Sequence, residues 1–110
     1  MELNFAWNNG RLNNYVPVCG TAYDPTGGSD VKQPYDGEVF CTETDGVAST
    51  VWRFAHNRAV WDAQFYWTQP LGNLSLDGRF FSFTSSWDGQ VGVTKEDGDP
   101  RTEVWIVKLQ

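Results

Sequence analysis

The chain has 110 residues, 14 acidic against 8 basic side chains, a formal net charge of −6, and 40% hydrophobic and 15% aromatic content with 6 Trp. That is the length of one ordinary domain, too rich in large apolar groups for a disordered chain and too acidic for non-specific contact with nucleic-acid phosphates or an anionic membrane surface. No apolar run approaches the ~18 residues of a membrane span, and residues 1–9 show no basic region followed by an apolar core, so no signal peptide is expected.

Helical periodicity is nearly absent, and the chain reads as short strands punctuated by turns. The first strand is expected at residues 3–7. The second, at 14–19 ("NYVPVC"), contains Pro17, which has no N–H for a ladder and so predicts an edge or a bulge. Residues 38–44 ("EVFCTET") form the third. The stretch 51–64 ("VWRFAHNRAVWDAQ") fits no single helical face, and its β-branched and aromatic start predicts a strand at 51–55 followed by a loop. Further strands are expected around 67–74, at 79–85 ("RFFSFTS"), where apolar residues alternate, and at 102–109 ("TEVWIVKL"). Asp36-Gly37, Asp45-Gly46, Asp77-Gly78, Asp88-Gly89 and Asp97-Gly98 supply the turns, because each pair tolerates positive backbone angles.

A weak internal repeat follows. At an offset of 65 residues, Glu38, Val39 and Phe40 fall on Glu103, Val104 and Trp105, and the 14–20 stretch falls on 79–85. Recurring antiparallel hairpins are the mark of an array or a propeller. The stretch "SLDGRFFSFTS", followed by "EVWIVKL", resembles the TolB-like β-propeller repeat. Ser75, Asp77, Gly78, Phe83, Thr84 and Ser85 carry the first part of the motif and Val104, Trp105, Ile106 and Val107 the second, with Leu76 where the family has proline. "GEVFCTETDG" and "VWRFAH" are similar to the end of a preceding blade, so the likeness covers residues 36–109.

The resemblance implies an all-β fold of antiparallel four-stranded propeller blades, about two in number. Residues 1–57 would be the first blade, with strands at 3–7, 14–19, 38–44 and 51–55. Residues 58–110 would be a second blade lacking its outer strand. Because roughly 4–8 blades close a ring, the chain is expected to be the C-terminal part of a longer propeller or to assemble from copies, with bare apolar flanks and an open edge near Leu109. It further implies an extracytoplasmic (periplasmic or secreted) scaffold that binds protein or carbohydrate partners. The alternatives are a segment of a propeller-containing hydrolase and a free-standing carbohydrate-binding β-sandwich.

Candidate chemistry is sparse. His56 is the only histidine, without a nucleophile motif or partner ligands, and its plainer reading is a hydrogen-bonded residue at a strand end. The carboxylates Asp62, Asp77, Asp88, Asp97 and Asp99 mostly sit in turns, where they cap their own backbone. Asp97 and Asp99 offer oxygens to calcium but lack the pattern of a calcium loop. No catalytic residue, metal site or cofactor is therefore assigned, and the chain is read as not an enzyme. The stretch 59–70 ("AVWDAQFYWTQP") concentrates rings beside polar groups, as a sugar or peptide site requires. Trp61, Asp62, Trp67 and Gln69, with His56, are the candidate ligand-binding residues. The plainer reading is that the rings fill space between sheets, with Trp67 buried. Cys19 and Cys41 are read as two reduced, buried thiols in preference to one bridge.

Overall fold

A computed structural model describes residues 2–6, 17–24, 34–44, 46–47 and 50–109. The strands β1 (Glu2–Ala6), β2 (Val18–Tyr23), β3 (Glu38–Thr42) and β4 (Val51–His56) form one sheet in the order β1-β2-β3-β4. A second sheet has the order β5-β6-β7, from β5 (Gly72–Leu74), β6 (Phe80–Ser85) and β7 (Glu103–Lys108). All neighbouring strands are antiparallel. One 3₁₀ turn, Tyr66–Thr68, is the helical element among the described residues, and no helix there is long and apolar enough to cross a membrane. The all-β expectation thus holds at the level of two antiparallel sheets.

Two strands lie elsewhere than expected. β2 begins at Val18 and runs to Tyr23, later than the 14–19 reading, whose residues 14–16 lie outside those described. Pro17 precedes the ladder, where its missing N–H costs nothing. Gly20 is tolerated inside β2 because a Cβ there would press on the Asn4 carbonyl and the Phe5 ring. β5 is only three residues long, because the chain from 62 to 69 turns back on itself before it can extend. The five expected Asp-Gly turns agree with the backbone: Gly37, Gly46, Gly78, Gly89 and Gly98 all have φ between 71° and 77°. Asp45 lies outside the described residues.

The period-2 alternation of β6 decides how the sheets meet. Phe81, Phe83 and Ser85 are buried, while Phe80 points away on the outer face. Ala6, Cys19, Val39 and Cys41 of the first sheet face Leu74, Phe81 and Phe83 of the second, with Phe54, Ala55, Trp105, Val107 and Leu109 closing around them. Burying each of the two phenylalanines stabilises by roughly 1.5–3 kcal/mol relative to exposure. The sheets approach most closely where β5 meets β1 and β2. Arg79 O accepts the Leu109 N–H at 2.7 Å, which extends the pairing of β7 with β6, and β7 forms the margin of its sheet.

Cys19 and Cys41 are joined by a disulfide, which corrects the expectation of two free thiols. The bridge follows from register: the two residues are direct partners across β2 and β3, with Cα atoms 4.0 Å apart. Closely spaced, non-hydrogen-bonded antiparallel pairs bring side chains together. Sequence separation alone could not supply that pairing.

On the outer face of the first sheet, buried Glu38 binds Arg53 through both carboxylate oxygens, and the guanidinium lies 5.2 Å from the Tyr35 ring centroid. Hydrogen bonding from Arg53 holds the Glu38 carboxyl below its usual range, against an opposing effect of burial, with the Arg53 and His56 charges helping. A carboxylate with a lowered folded pKa adds stability that is present above its unfolded value of 4.5 and is lost as pH falls through the lower folded value. Arg53→Ala is therefore expected to lower stability at neutral pH, with an effect limited by solvent screening because Arg53 is exposed. The deficit should begin to shrink as pH drops below 4.5 and vanish as pH falls through the lower folded value, where Glu38 becomes neutral. Urea titrations across pH check this. A deficit independent of pH would assign the loss to packing on Tyr35 instead of charge.

Candidate functional site

In a meander of antiparallel strands, successive connections alternate between the two ends of the sheet. The C-terminal ends of β2, β4 and β6, and with the last two the segments 57–71 and 86–102, therefore lie at one end. Among the described residues, Trp61, Trp67 and Trp87 lie in the segments 57–71 and 86–102, and Trp87 stacks on Trp105 of β7.

The segment 57–71 is the frame of this end, and it is held to both sheets. Asn57 is fully buried: its side-chain amide donates to Ala22 O at 2.7 Å, its backbone N–H to Gly37 O at 2.7 Å, and its Oδ1 accepts from Ala59 N at 3.0 Å. Three hydrogen bonds to one buried residue, two of them to its side-chain amide, fix the exit of β4. The Val60 N–H then donates to Ser86 Oγ at 3.0 Å. Buried Thr68 closes the loop on itself, accepting from Asp62 N at 2.9 Å and donating to Phe65 O at 2.7 Å. Further on, Pro70 O accepts from the Thr21 hydroxyl of the first sheet, and Gln69 O accepts from the Thr84 hydroxyl of the second at 2.9 Å.

On this frame the expected site residues take different roles. Trp61 is half-buried, with its ring 5.8 Å from that of Tyr23, and serves packing between loop and sheet. Asp62 is exposed, and its Oδ1 accepts from Gln64 N at 2.9 Å, so the carboxylate caps its own turn. Gln69 is half-buried and contributes through its backbone. Trp67 was expected to be buried and is instead 46% exposed. Its Nε1–H donates to Pro100 O at 3.0 Å and its ring sits 5.1 Å from Phe65, so it is presented to solvent in a fixed pose. The local cause is the 3₁₀ turn, which buries Thr68 and turns Tyr66 (68% exposed) and Trp67 outward.

His56 does not join them. It ends β4 opposite Glu38, on the outer face of the first sheet, whereas Tyr23, which carries Trp61, alternates onto the inner face. The structure brings Asp62, Trp67 and Gln69 into one loop and leaves His56 outside it.

A second aromatic unit was not anticipated. Trp87 stacks on Trp105 at 4.1 Å between centroids, and Arg58 lies 5.5 Å over Trp87 while pairing with Asp88 at 2.7 Å. Trp87, Asp88 and Arg58 all adopt positive φ, which is uncommon for bulky residues. The sequence signal was the aromatic residue set directly before the Asp88-Gly89 turn; its partner in β7 is visible only from register. Asp97 and Asp99 lie in a turn closed by Thr94, whose hydroxyl accepts from Asp99 N at 3.2 Å.

No protein-family model, no curated protein sequence and no solved structure matches the chain. The functional reading therefore stands on this geometry and on the repeat motif.

Proposed function

We propose that the chain is a stretch of a TolB-like β-propeller array that acts as a non-catalytic scaffold and binds a protein or carbohydrate partner at its aromatic loop end. The observation that carries the binding role is the pose of Trp67: a large ring left in solvent while its indole N–H is tied to Pro100 O and the turn that carries it is held by Thr68. Exposed, preorganised rings lose little freedom on binding and stack on sugar or peptide faces. Two consecutive antiparallel meanders, closest at β5 against β1 and β2, support the propeller reading. Phe5 and Ile106, exposed on the two outer faces, favour stacked blades over a closed free-standing sandwich, whose outer faces are expected to be polar. The remaining blades would come from a longer chain or from other copies. A disulfide fits an oxidising, extracytoplasmic compartment.

Trp67→Ala tests the site. Titration of the protein with a panel of soluble oligosaccharides and peptides, followed by intrinsic tryptophan fluorescence, should yield a binder whose affinity falls about 10-fold in the variant, the equivalent of one aromatic contact. Retention of full affinity by Trp67→Ala would move the site elsewhere.

A further inference from the structure

The two sheets can be superposed by register alone. Cys19 pairs with Cys41 and Thr21 with Val39 in the first sheet; Ser82 pairs with Ile106 and Thr84 with Val104 in the second. Val39 and Cys41 therefore occupy the positions that Val104 and Ile106 occupy one sheet later. Their surroundings are opposite. Val39 and Cys41 are fully buried beneath the second sheet, while Val104 and Ile106 are 68% and 70% exposed. The outer face of the second sheet is thus the repeat equivalent of a face that, in the first sheet, carries a neighbour. Phe80 adds an exposed ring to the same face.

On the far side of the first sheet the equivalent positions are already covered, with Gly20 buried and Phe40 8% exposed. Phe40 and Gly20 of the first sheet correspond to Trp105 and Phe83, which face inward in the second. On the first sheet this outer face is finished differently: Phe5 lies over Gly20, meets Phe40 edge-to-face at 6.0 Å, and stands 58% exposed beside exposed Leu3. One polypeptide therefore bears an exposed apolar patch on each of its two outer faces, Leu3 and Phe5 on one and Phe80, Val104 and Ile106 on the other.

We infer that a second copy of this chain docks head to tail, its Leu3–Phe5 flank covering the Phe80–Val104–Ile106 flank of the first, in continuation of the internal sheet-on-sheet interface. This rests on the stacked-blade reading above and is independent of any ligand at Trp67. Such an interface is heterologous: two different surfaces meet, so the assembly grows until rotation closes it into a ring, or it extends as an open stack. The self-association is driven by apolar burial, since the facing residues are aliphatic and aromatic.

The polarity gives a test that symmetric dimerisation cannot imitate. Purified full chain, followed by sedimentation velocity over a 100-fold concentration range about 1–100 µM (a span that brackets transient to stable interfaces), should show species at multiples of 12.4 kDa. Ile106→Lys blocks one flank and Phe5→Lys the other, and each variant alone should sediment as a monomer. Mixed in equal amounts they should form a single 1:1 dimer, because each retains the flank that the other lacks. Leu3→Lys serves in place of Phe5→Lys if circular dichroism shows that loss of the ring over Gly20 unfolds the sheet. A wild-type chain that stays monomeric throughout, or variants that fail to complement, would overturn the inference; either result leaves binding at Trp67 intact. Persistence of dimers in one variant alone would also overturn it, by showing a symmetric contact between like flanks.

Discussion

Phe81→Ala is expected to destabilise the chain by about 3–5 kcal/mol, the largest effect of any single substitution proposed for it. Phe81 is fully buried at the centre of the contact between the sheets, and its ring lies directly on Gly72 of β5. Truncation removes apolar area from the core and leaves a cavity that strands held in register close only partly. The seat on Gly72 makes a sharper prediction. A Cβ at position 72 would overlap the Phe81 ring, so Gly72→Ala should cost about 1–3 kcal/mol through overpacking. Combining Gly72→Ala with Phe81→Leu vacates that space, and the pair should be less destabilising than the sum of its parts by about 1 kcal/mol. Equilibrium denaturation of the three variants reads this coupling directly. Strict additivity would mean that the ring does not rest on the glycine.

The Cys19–Cys41 bridge is the second large contribution. It closes a loop of sequence separation 22, and removing it as Cys19→Ala/Cys41→Ala should lower stability by about 3 kcal/mol, on the view that the cross-link restricts the unfolded chain. Both cysteines are buried in the core between the sheets, so the folded protein should resist a mild reductant and expose thiols only on unfolding. Thiol labelling after treatment with a mild reductant, with and without denaturant, beside urea unfolding of the alanine pair, tests both statements. Labelling of two thiols in the untreated native protein, or an unchanged urea midpoint in the variant, would remove the bridge from the list of stabilising features.

Much of the secondary structure was legible along the chain. β6 was plain because Phe81, Phe83 and Ser85 alternate with Phe80, Ser82 and Thr84, and a period of two admits no helical alternative. β4 was equally readable from "VWRFAH": expected at 51–55, it runs over Val51–His56. The Asp-Gly turns were legible because glycine's conformational freedom is a local property. β2 was displaced because Pro17 and Gly20 carry conflicting local signals, and only the Phe5 ring over Gly20 resolves them. The aromatic loop was recognised as a unit, yet the roles of its members were not. Trp61 and Trp67 are chemically alike and six residues apart; Thr68 and Pro100, reached through hydrogen bonds, decide which one faces solvent.

An all-β chain, its turns and the alternation that buries one side of β6 were all readable from the amino-acid order alone. Those are consequences of backbone preference and of nearest neighbours along the polypeptide. Only the tertiary structure decided that Cys19 meets Cys41, that Glu38 finds Arg53, that Trp67 is presented and that His56 stands apart, because each depends on register between strands far apart in the chain. A slip of one residue in any pairing would send every side chain of that strand to the opposite face. Register is set by the summed burial of both sheets, a quantity that no single stretch of sequence contains.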